Sequence, residues 1–266
     1  MADSLDEISG GRFILGIGSQ VRAHIERRYS MPWSHPAARM NEFVSALRAI
    51  WESWQEGTRL DFEGDYYSHT LMTPMFDPGP IPVGPPRVYV AGVGRAMTEV
   101  AAEVGDGLFV HGFTTRRYLE EVTVPTVERA LLRSGRPRRQ FELKYAPFLV
   151  TGRDEDELER AAGPVRQQLA FYASTPAYRK VLELHGWGEL QPALNALARE
   201  GEWATMGTLI EPAMLDAFAV VAAVDELAGA LAARTRGVVD RVSLSGLEGL
   251  GPVGVGALVA SLQAEA

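Results

Sequence analysis

Residues Val88–Ala96 read VYVAGVGRA, an apolar run followed by two glycines and the start of a helical pattern. The run predicts a buried strand, and Gly92 and Gly94 predict a tight turn into a helix from Arg95. Free N–H groups and the helix dipole at such a helix N-terminus favour an anion. A dinucleotide-binding G-x-G-x-x-G motif needs a third glycine and an acidic residue after the next strand, and both are absent. The turn is equally consistent with a phosphate site and with a simple connection between strand and helix.

A second glycine turn follows the apolar run Phe13–Ile17 near the start of the sequence. Gly16, Gly18 and Ser19 would let backbone N–H groups approach a ligand closely. A single G-x-G at a strand end is more often an ordinary turn than an anion site. This turn is therefore a second, weaker candidate.

The order of the elements predicts a parallel α/β sheet. Strands are expected at 13–17, 87–91, 108–111, 142–150 and 238–244. Helical patterns lie between them, at 36–56, 95–104, 115–134, 154–172, 176–184, 191–199, 212–224 and 226–235. Parallel neighbours need crossover connections, so both an open doubly wound sheet and part of an eight-stranded barrel fit. We interpret residues 1–266 as one domain, in which the Tyr-, Pro- and Gly-rich segment 58–86 is an insertion with a short hairpin.

Composition excludes several classes of protein. A net charge of −8 and a pI near 5.3 argue against a general nucleic-acid surface. No segment approaches the roughly 18 consecutive apolar residues of a membrane span, and no secretion signal is visible, so we expect a cytoplasmic protein without a membrane. The absence of cysteine removes disulfides and thiolate chemistry. No histidine pair has metal-ligand spacing, and no G-x-S-x-G elbow is present, so we expect no metal and infer that the chemistry comes from a cofactor.

Basic residues are concentrated after the first predicted strand. Arg22, Arg27 and Arg28 could hold a phosphate or a carboxylate, or they could form a solvated helix face paired with Glu26. Of the histidines, the two placed to reach a pocket at the strand ends are His24 and His111. Neither arrangement identifies a reaction by itself.

Several segments in the same order resemble the luciferase-like flavin and deazaflavin oxidoreductases. Leu5–Gly18 is similar to the "LS-GRF-LG-G" segment of that family. Ala101–Gly107 resembles its "A-x-x-A-DG" signature, and the strands at Pro86–Gly94 and Asp240–Val242 resemble its later strands. Residues 20–28 and 170–176 look closer to the actinobacterial branch that uses the deazaflavin coenzyme. The resemblance implies a (β/α)8 TIM-barrel type of fold, with the cofactor ring across the carboxyl ends of the strands.

The resemblance also implies roles for individual residues. It places the cofactor phosphate on Gly92, Val93, Gly94 and Arg95, and the path of the cofactor along Gly16, Gly18, Ser19 and Gln20. The basic residues Arg22, Arg27 and Arg28 suit the anionic tail of an F420-type deazaflavin. His111 and Tyr172 would face a small-molecule substrate, and His111 is the expected general acid because imidazole exchanges a proton near neutral pH. His24 is the second candidate catalytic residue.

The expected function is hydride transfer between the deazaflavin and a small organic substrate. The alternatives are an FMN-dependent monooxygenase and a non-catalytic barrel that binds a ligand or a partner. In the family, the GRF-LG-G segment is the fourth barrel strand, so about five of eight strands, the fourth to the eighth, are expected here. We therefore expect an N-terminally truncated, open barrel of impaired activity. Its edges at 13–17 and 238–244 would be covered by a second copy, another polypeptide or the apolar tail 251–262.

Overall fold

A computed structural model describes residues 1–264 of the chain. Its strands are β1 (Ile14–Gly18), β2 (Phe62–Glu63), β3 (Ser68–His69), β4 (Arg87–Gly92), β5 (Gly107–Val110), β6 (Glu142–Tyr145), β7 (Phe148–Gly152), β8 (Ala219–Ala223) and β9 (Arg241–Val242). Its helices are α1 (Ala2–Ser9), α2 (Arg22–Arg27), α3 (Pro36–Glu56), α4 (Arg95–Val104), α5 (Arg116–Tyr118), α6 (Val124–Arg133), α7 (Glu155–Ala173), α8 (Arg179–Leu184), α9 (Leu190–Glu200), α10 (Trp203–Thr208), α11 (Pro212–Phe218), α12 (Leu227–Thr235) and α13 (Gly251–Ala264). The chain divides into two compact units, Met1–Phe109 with Thr126–Glu142, and Val110–Pro125 with the chain from Leu143 onward.

The first unit is built on β4. Its residues Val88, Tyr89 and Val90 are completely buried, because a parallel strand between two others is apolar on both faces. Strand β1 pairs with β4 in parallel over its whole length, from Ile14 opposite Arg87 to Gly18 opposite Ala91. Strand β5 lies on the other side of β4. Both glycine turns therefore leave the sheet at the same edge.

A carboxylate ties the start of β4 to the end of α4. The Asp106 carboxylate accepts a hydrogen bond from the Val88 N–H at 2.8 Å and another from the Arg48 guanidinium group at 2.9 Å. The Asp106 N–H donates to the Val88 carbonyl at 2.6 Å. Arg48 also donates to the Val104 carbonyl, and Arg136 donates to the Ala102 carbonyl, so two guanidinium groups cap the carboxyl end of α4. The aspartate of the "A-x-x-A-DG" segment thus has a structural role.

Segment 58–86 contains the expected short hairpin. Strands β2 and β3 pair antiparallel, with Phe62 opposite His69. The carboxylate of Glu42 on α3 accepts hydrogen bonds from the backbone N–H groups of Asp65, Tyr66 and Tyr67. These bonds fix the hairpin loop to helix α3.

Three elements of the second unit differ from those predicted from the sequence. The strand expected at 142–150 is two strands, since β6 pairs in parallel with β9 and β7 pairs in parallel with β8. Pro147 lies between β6 and β7 and has no N–H to donate to a ladder. The helix expected at 212–224 ends at Phe218 and continues as β8, and the strand expected at 238–244 is only Arg241–Val242. The alanines of β8 have a high intrinsic helix propensity, so the sequence predicts a helix there. The segment forms a strand because Val220 is buried beside β7.

The apolar tail expected at 251–262 is helix α13, and it packs within the second unit. Leu258 is buried in one cluster with Leu227 and Leu231 of α12 and with Leu149 and Val220 of the β7–β8 pair. After β7, Asp154 caps helix α7 by accepting a hydrogen bond from the Glu157 N–H at 2.8 Å, as its sequence predicts. The described strands of neither unit close into a barrel.

Candidate functional site

The β4–α4 turn in the first unit has the geometry of an anion site. Gly94 is the N-cap of α4, with φ 78° and ψ 166°, a conformation that only glycine adopts readily. Apart from its two neighbours in the chain, no residue has a heavy atom within 4 Å of the position that a Cβ on Gly94 would take, so a side chain there would meet open space. Within residues 1–264, no side chain caps this helix end, and Arg95 is exposed. The first N–H groups of α4 therefore meet an accessible space that can take an anion.

The β1 turn combines a packing role with an open edge. A Cβ on Gly16 would come within 2.7 Å of the Phe109 ring, so a larger residue there would have to displace the Phe109 side chain. Gly18 is exposed and lies opposite Ala91, one residue before the β4–α4 turn. Ser19 and Gln20 follow at that same edge, and Gln20 has a φ of 59°. The structure thus brings the two predicted turns together.

The basic group on α2 is exposed and partly neutralised. Arg22 forms an i,i+4 ion pair of 2.9 Å with Glu26, as the solvated-face alternative expects. Arg28 lies over the Tyr29 ring at 5.6 Å, and Arg27 is exposed. His24 is also exposed, with Nδ1 at 3.2 Å from Oε1 of Gln20. Because His24 is exposed, its imidazole does not lie in an enclosed site.

His111, directly after β5, lies in an aromatic cluster of the second unit. Its ring centroid is 4.7 Å from that of Tyr172 in an edge-to-face arrangement and 4.8 Å from that of Tyr178. Phe113 packs against Tyr178 at 5.4 Å and stacks on Phe218 at 4.4 Å. The predicted pair of His111 and Tyr172 is therefore in direct contact.

Both ring nitrogens of His111 have hydrogen-bond partners. The Phe113 N–H donates to Nδ1 at 3.0 Å, and Nε2 lies 3.2 Å from the hydroxyl oxygen of Tyr178. Since an amide N–H can only donate, Nδ1 is the acceptor, and the neutral ring carries its hydrogen on Nε2. The Tyr178 oxygen accepts that hydrogen.

Burial lowers the pKa of His111 to about 4. The ring is therefore neutral at neutral pH. The general acid predicted from the sequence would exchange a proton near neutral pH, but His111 does not, because burial disfavours its charged form. His111 stays a proposed site residue, acting as a neutral hydrogen-bond donor.

Tyr178 is the residue that sequence reasoning missed. It follows Tyr172 by six positions, across a 3-10 turn at Pro176–Tyr178, so no single helical period connects the two rings. Burial raises the pKa of Tyr178 to about 12, with Tyr172 adding to the shift. The hydroxyl is therefore protonated at neutral pH. The signal available in the sequence was the density of aromatic residues at 171–178.

Two negative findings concern the described residues. Within 1–264, no group of three or more His, Cys, Asp or Glu side chains is placed to hold a metal ion. In the same range, no helix has both the length and the apolar character to cross a membrane.

Sequence comparisons identify relatives over most of the chain. A family model described as luciferase-like monooxygenase matches residues 1–241. A protein of Mycobacterium tuberculosis, described as uncharacterised, is 58% identical over 238 residues, which are 90% of this chain and 70% of that protein. The 5,10-methylenetetrahydromethanopterin reductase of Archaeoglobus fulgidus is 29% identical over 230 residues, 84% of this chain and 64% of that enzyme. The chain thus spans less than two thirds of the archaeal reductase.

A solved structure has a similar fold. The coenzyme F420-dependent tetrahydromethanopterin reductase from Methanopyrus kandleri matches with a TM-score of 0.72 and 22% identity, over 97% of this chain and 74% of that one. The chain therefore has an α/β fold with mainly parallel strands, similar to the luciferase-like barrel structures.

Proposed function

Because the chain belongs to the luciferase-like monooxygenase family, we propose that it is an oxidoreductase that transfers a hydride between an F420-type deazaflavin and a small organic substrate. The observation that carries this proposal is the open, uncapped β4–α4 turn at Gly94. The similarity to the methylenetetrahydromethanopterin reductase favours reductase chemistry, and the solved tetrahydromethanopterin reductase of similar fold is described as F420-dependent.

The residues of the turn fit a phosphate group. Gly92, Val93, Gly94 and Arg95 would hold it through backbone N–H groups and the positive end of the α4 dipole. Ser19 and Gln20 lie at the same edge and would line the cofactor, while Arg22, Arg27 and Arg28 would attract its anionic tail. When bound, a deazaflavin supplies a hydride.

The aromatic cluster around His111 would supply groups that orient a substrate and handle a proton. His111 and Tyr172 are half-buried and in ring contact, so an organic substrate could pack on aromatic surface there. His111 is neutral and would not attract an anionic substrate by charge. The aromatic rings in contact with His111 offer no counter-charge either, so we propose an uncharged, small substrate.

A second candidate is an FMN-dependent monooxygenase, which the description of the family favours. A phosphate at the β4–α4 turn serves FMN as well as a deazaflavin. The two cofactors differ in the length and charge of the tail, so affinity separates them. Titration of the purified chain with each cofactor, followed by fluorescence, should give tighter binding of the deazaflavin; tight FMN binding without a deazaflavin response reverses the ranking. No binding of either would leave the non-catalytic alternative.

Substitution of Gly94 tests the phosphate site. We expect Gly94→Asp to weaken deazaflavin binding at least about tenfold relative to Gly94→Ala, because a carboxylate would face the phosphate. Both variants force a side chain into the same positive-φ conformation, so the alanine variant carries the backbone strain without the charge. Dissociation constants should be measured together with thermal melts of both variants. Equal affinity in the two variants would place the phosphate elsewhere.

A further inference from the structure

The Tyr178 hydroxyl has a proton that the described hydrogen bonds do not use. Its oxygen accepts the Nε2–H of His111, because the Phe113 amide occupies Nδ1. Within the described part of the chain, this hydroxyl forms no other hydrogen bond with the protein. His111, in contrast, has both ring nitrogens engaged. The Tyr178 proton is therefore the one that the described hydrogen bonds leave uncommitted.

We propose that the Tyr178 hydroxyl is the proton donor to the carbonyl oxygen of the substrate and that His111 is a positioning residue behind it. This inference rests on the proposed function and changes the role expected for His111. His111 aims the phenol by donating Nε2–H to its oxygen, and the Phe113 amide keeps the imidazole in the required tautomer.

Reduction of a carbonyl group to an alcohol needs one hydride at carbon and one proton at oxygen. A reduced deazaflavin, when bound, would supply the hydride to the carbonyl carbon, and the electron pair of the C=O π bond would then move to oxygen. That oxygen takes the Tyr178 proton and becomes an alcohol. The phenolate left on Tyr178 keeps the hydrogen bond from Nε2–H of His111 and regains a proton from solvent. His111 itself stays neutral throughout.

The surrounding side chains define the class of substrate. The rings in contact with His111 and Tyr178 are Tyr172 and Phe113, and Phe148 lies beyond them at 6.2 Å from Tyr172. Aromatic rings offer stacking and edge contacts but no counter-charge. We therefore expect an uncharged aldehyde or ketone, and an aromatic aldehyde is a suitable probe.

The test is the carbonyl stretching frequency of bound 4-fluorobenzaldehyde, labelled with ¹³C at the carbonyl and measured by infrared difference spectroscopy without coenzyme. A hydrogen bond from Tyr178 should lower the frequency in the wild-type chain, and Tyr178→Phe should abolish this shift. The matched control is Tyr145→Phe, which removes the hydroxyl of a completely buried tyrosine that has no hydrogen-bond partner among the described residues. It should keep the wild-type frequency.

A second variant covers the case in which Tyr178→Phe does not fold. Replacement of Tyr178 by 3-fluorotyrosine keeps the ring and makes the phenol more acidic, so the frequency should fall further than in the wild type. With reduced deazaflavin, turnover of the same aldehyde should fall about 100-fold or more in Tyr178→Phe. Absence of probe binding, or one frequency in all the proteins, overturns the inference. Failure of deazaflavin binding would remove the proposed function but leave the infrared result unaffected.

Discussion

Asp106→Ala should lower the free energy of unfolding by about 3 kcal/mol, because it removes the acceptor shared by a buried amide and a guanidinium group. The Val88 N–H, at the start of the completely buried strand β4, would lose its partner at 2.8 Å. Arg48 would lose its ion pair at 2.9 Å, and Arg136, at 3.8 Å, would lose its nearest carboxylate in that cluster. Urea unfolding followed by circular dichroism measures the change.

The control for this prediction is Glu99→Ala. Glu99 faces Arg133 at 3.8 Å in a solvent-exposed pair, so its loss should change stability by less than about 0.5 kcal/mol. If Asp106→Ala is no more destabilising than this control, the carboxylate does not hold β4 and α4 together.

The stability of the wild-type chain should fall as the pH is lowered from 6.5 to 4, by up to about 3 kcal/mol from His111 alone. Burial lowers the pKa of His111 from 6.5 to about 4. Between these values the unfolded chain binds a proton that the folded chain does not. The contribution of His111 is therefore complete above pH 6.5 and is lost as the pH falls to 4.

The variant His111→Asn isolates this contribution, because asparagine does not titrate. His185, whose pKa is also lowered, mainly by burial, remains in both proteins and cancels in the comparison. Urea unfolding at a series of pH values between 4 and 7 should give a steeper slope for the wild type than for His111→Asn. Equal slopes would mean that His111 is not held neutral by its surroundings.

Local signals in the sequence predict the elements of the first unit well. Glycine at 57 ends α3, the glycine turn before Arg95 starts α4, and Asp154 caps α7 in the second unit, each because the signal acts within a few residues. Strand β8 was missed because its identity depends on pairing with β7, about 70 residues earlier in the chain. Pairing at such a distance leaves no local pattern.

The candidate site shows the same limit. Gly92–Arg95 could be identified because they directly follow a predicted strand, and His111 because it is the last residue of one. The role of Tyr178 depends on a hydrogen bond to a residue 67 positions away, and the tautomer of His111 depends on the orientation of one amide. Residue types alone do not reveal the burial that lowers the pKa of His111. They also do not show that Arg22 pairs with Glu26.

The central claim is that the chain binds a deazaflavin through the β4–α4 turn, and backbone amide NMR tests it most directly. In a ¹⁵N-labelled sample titrated with an F420-type deazaflavin, the largest shifts should occur at the amides of Gly94, Arg95 and Ala96, with further shifts at Ser19 and Gln20. Inorganic phosphate at high concentration should move the first three amides in the same direction. Saturable binding of the deazaflavin without any change at these amides would contradict the account, as would a titration that leaves the whole spectrum unchanged.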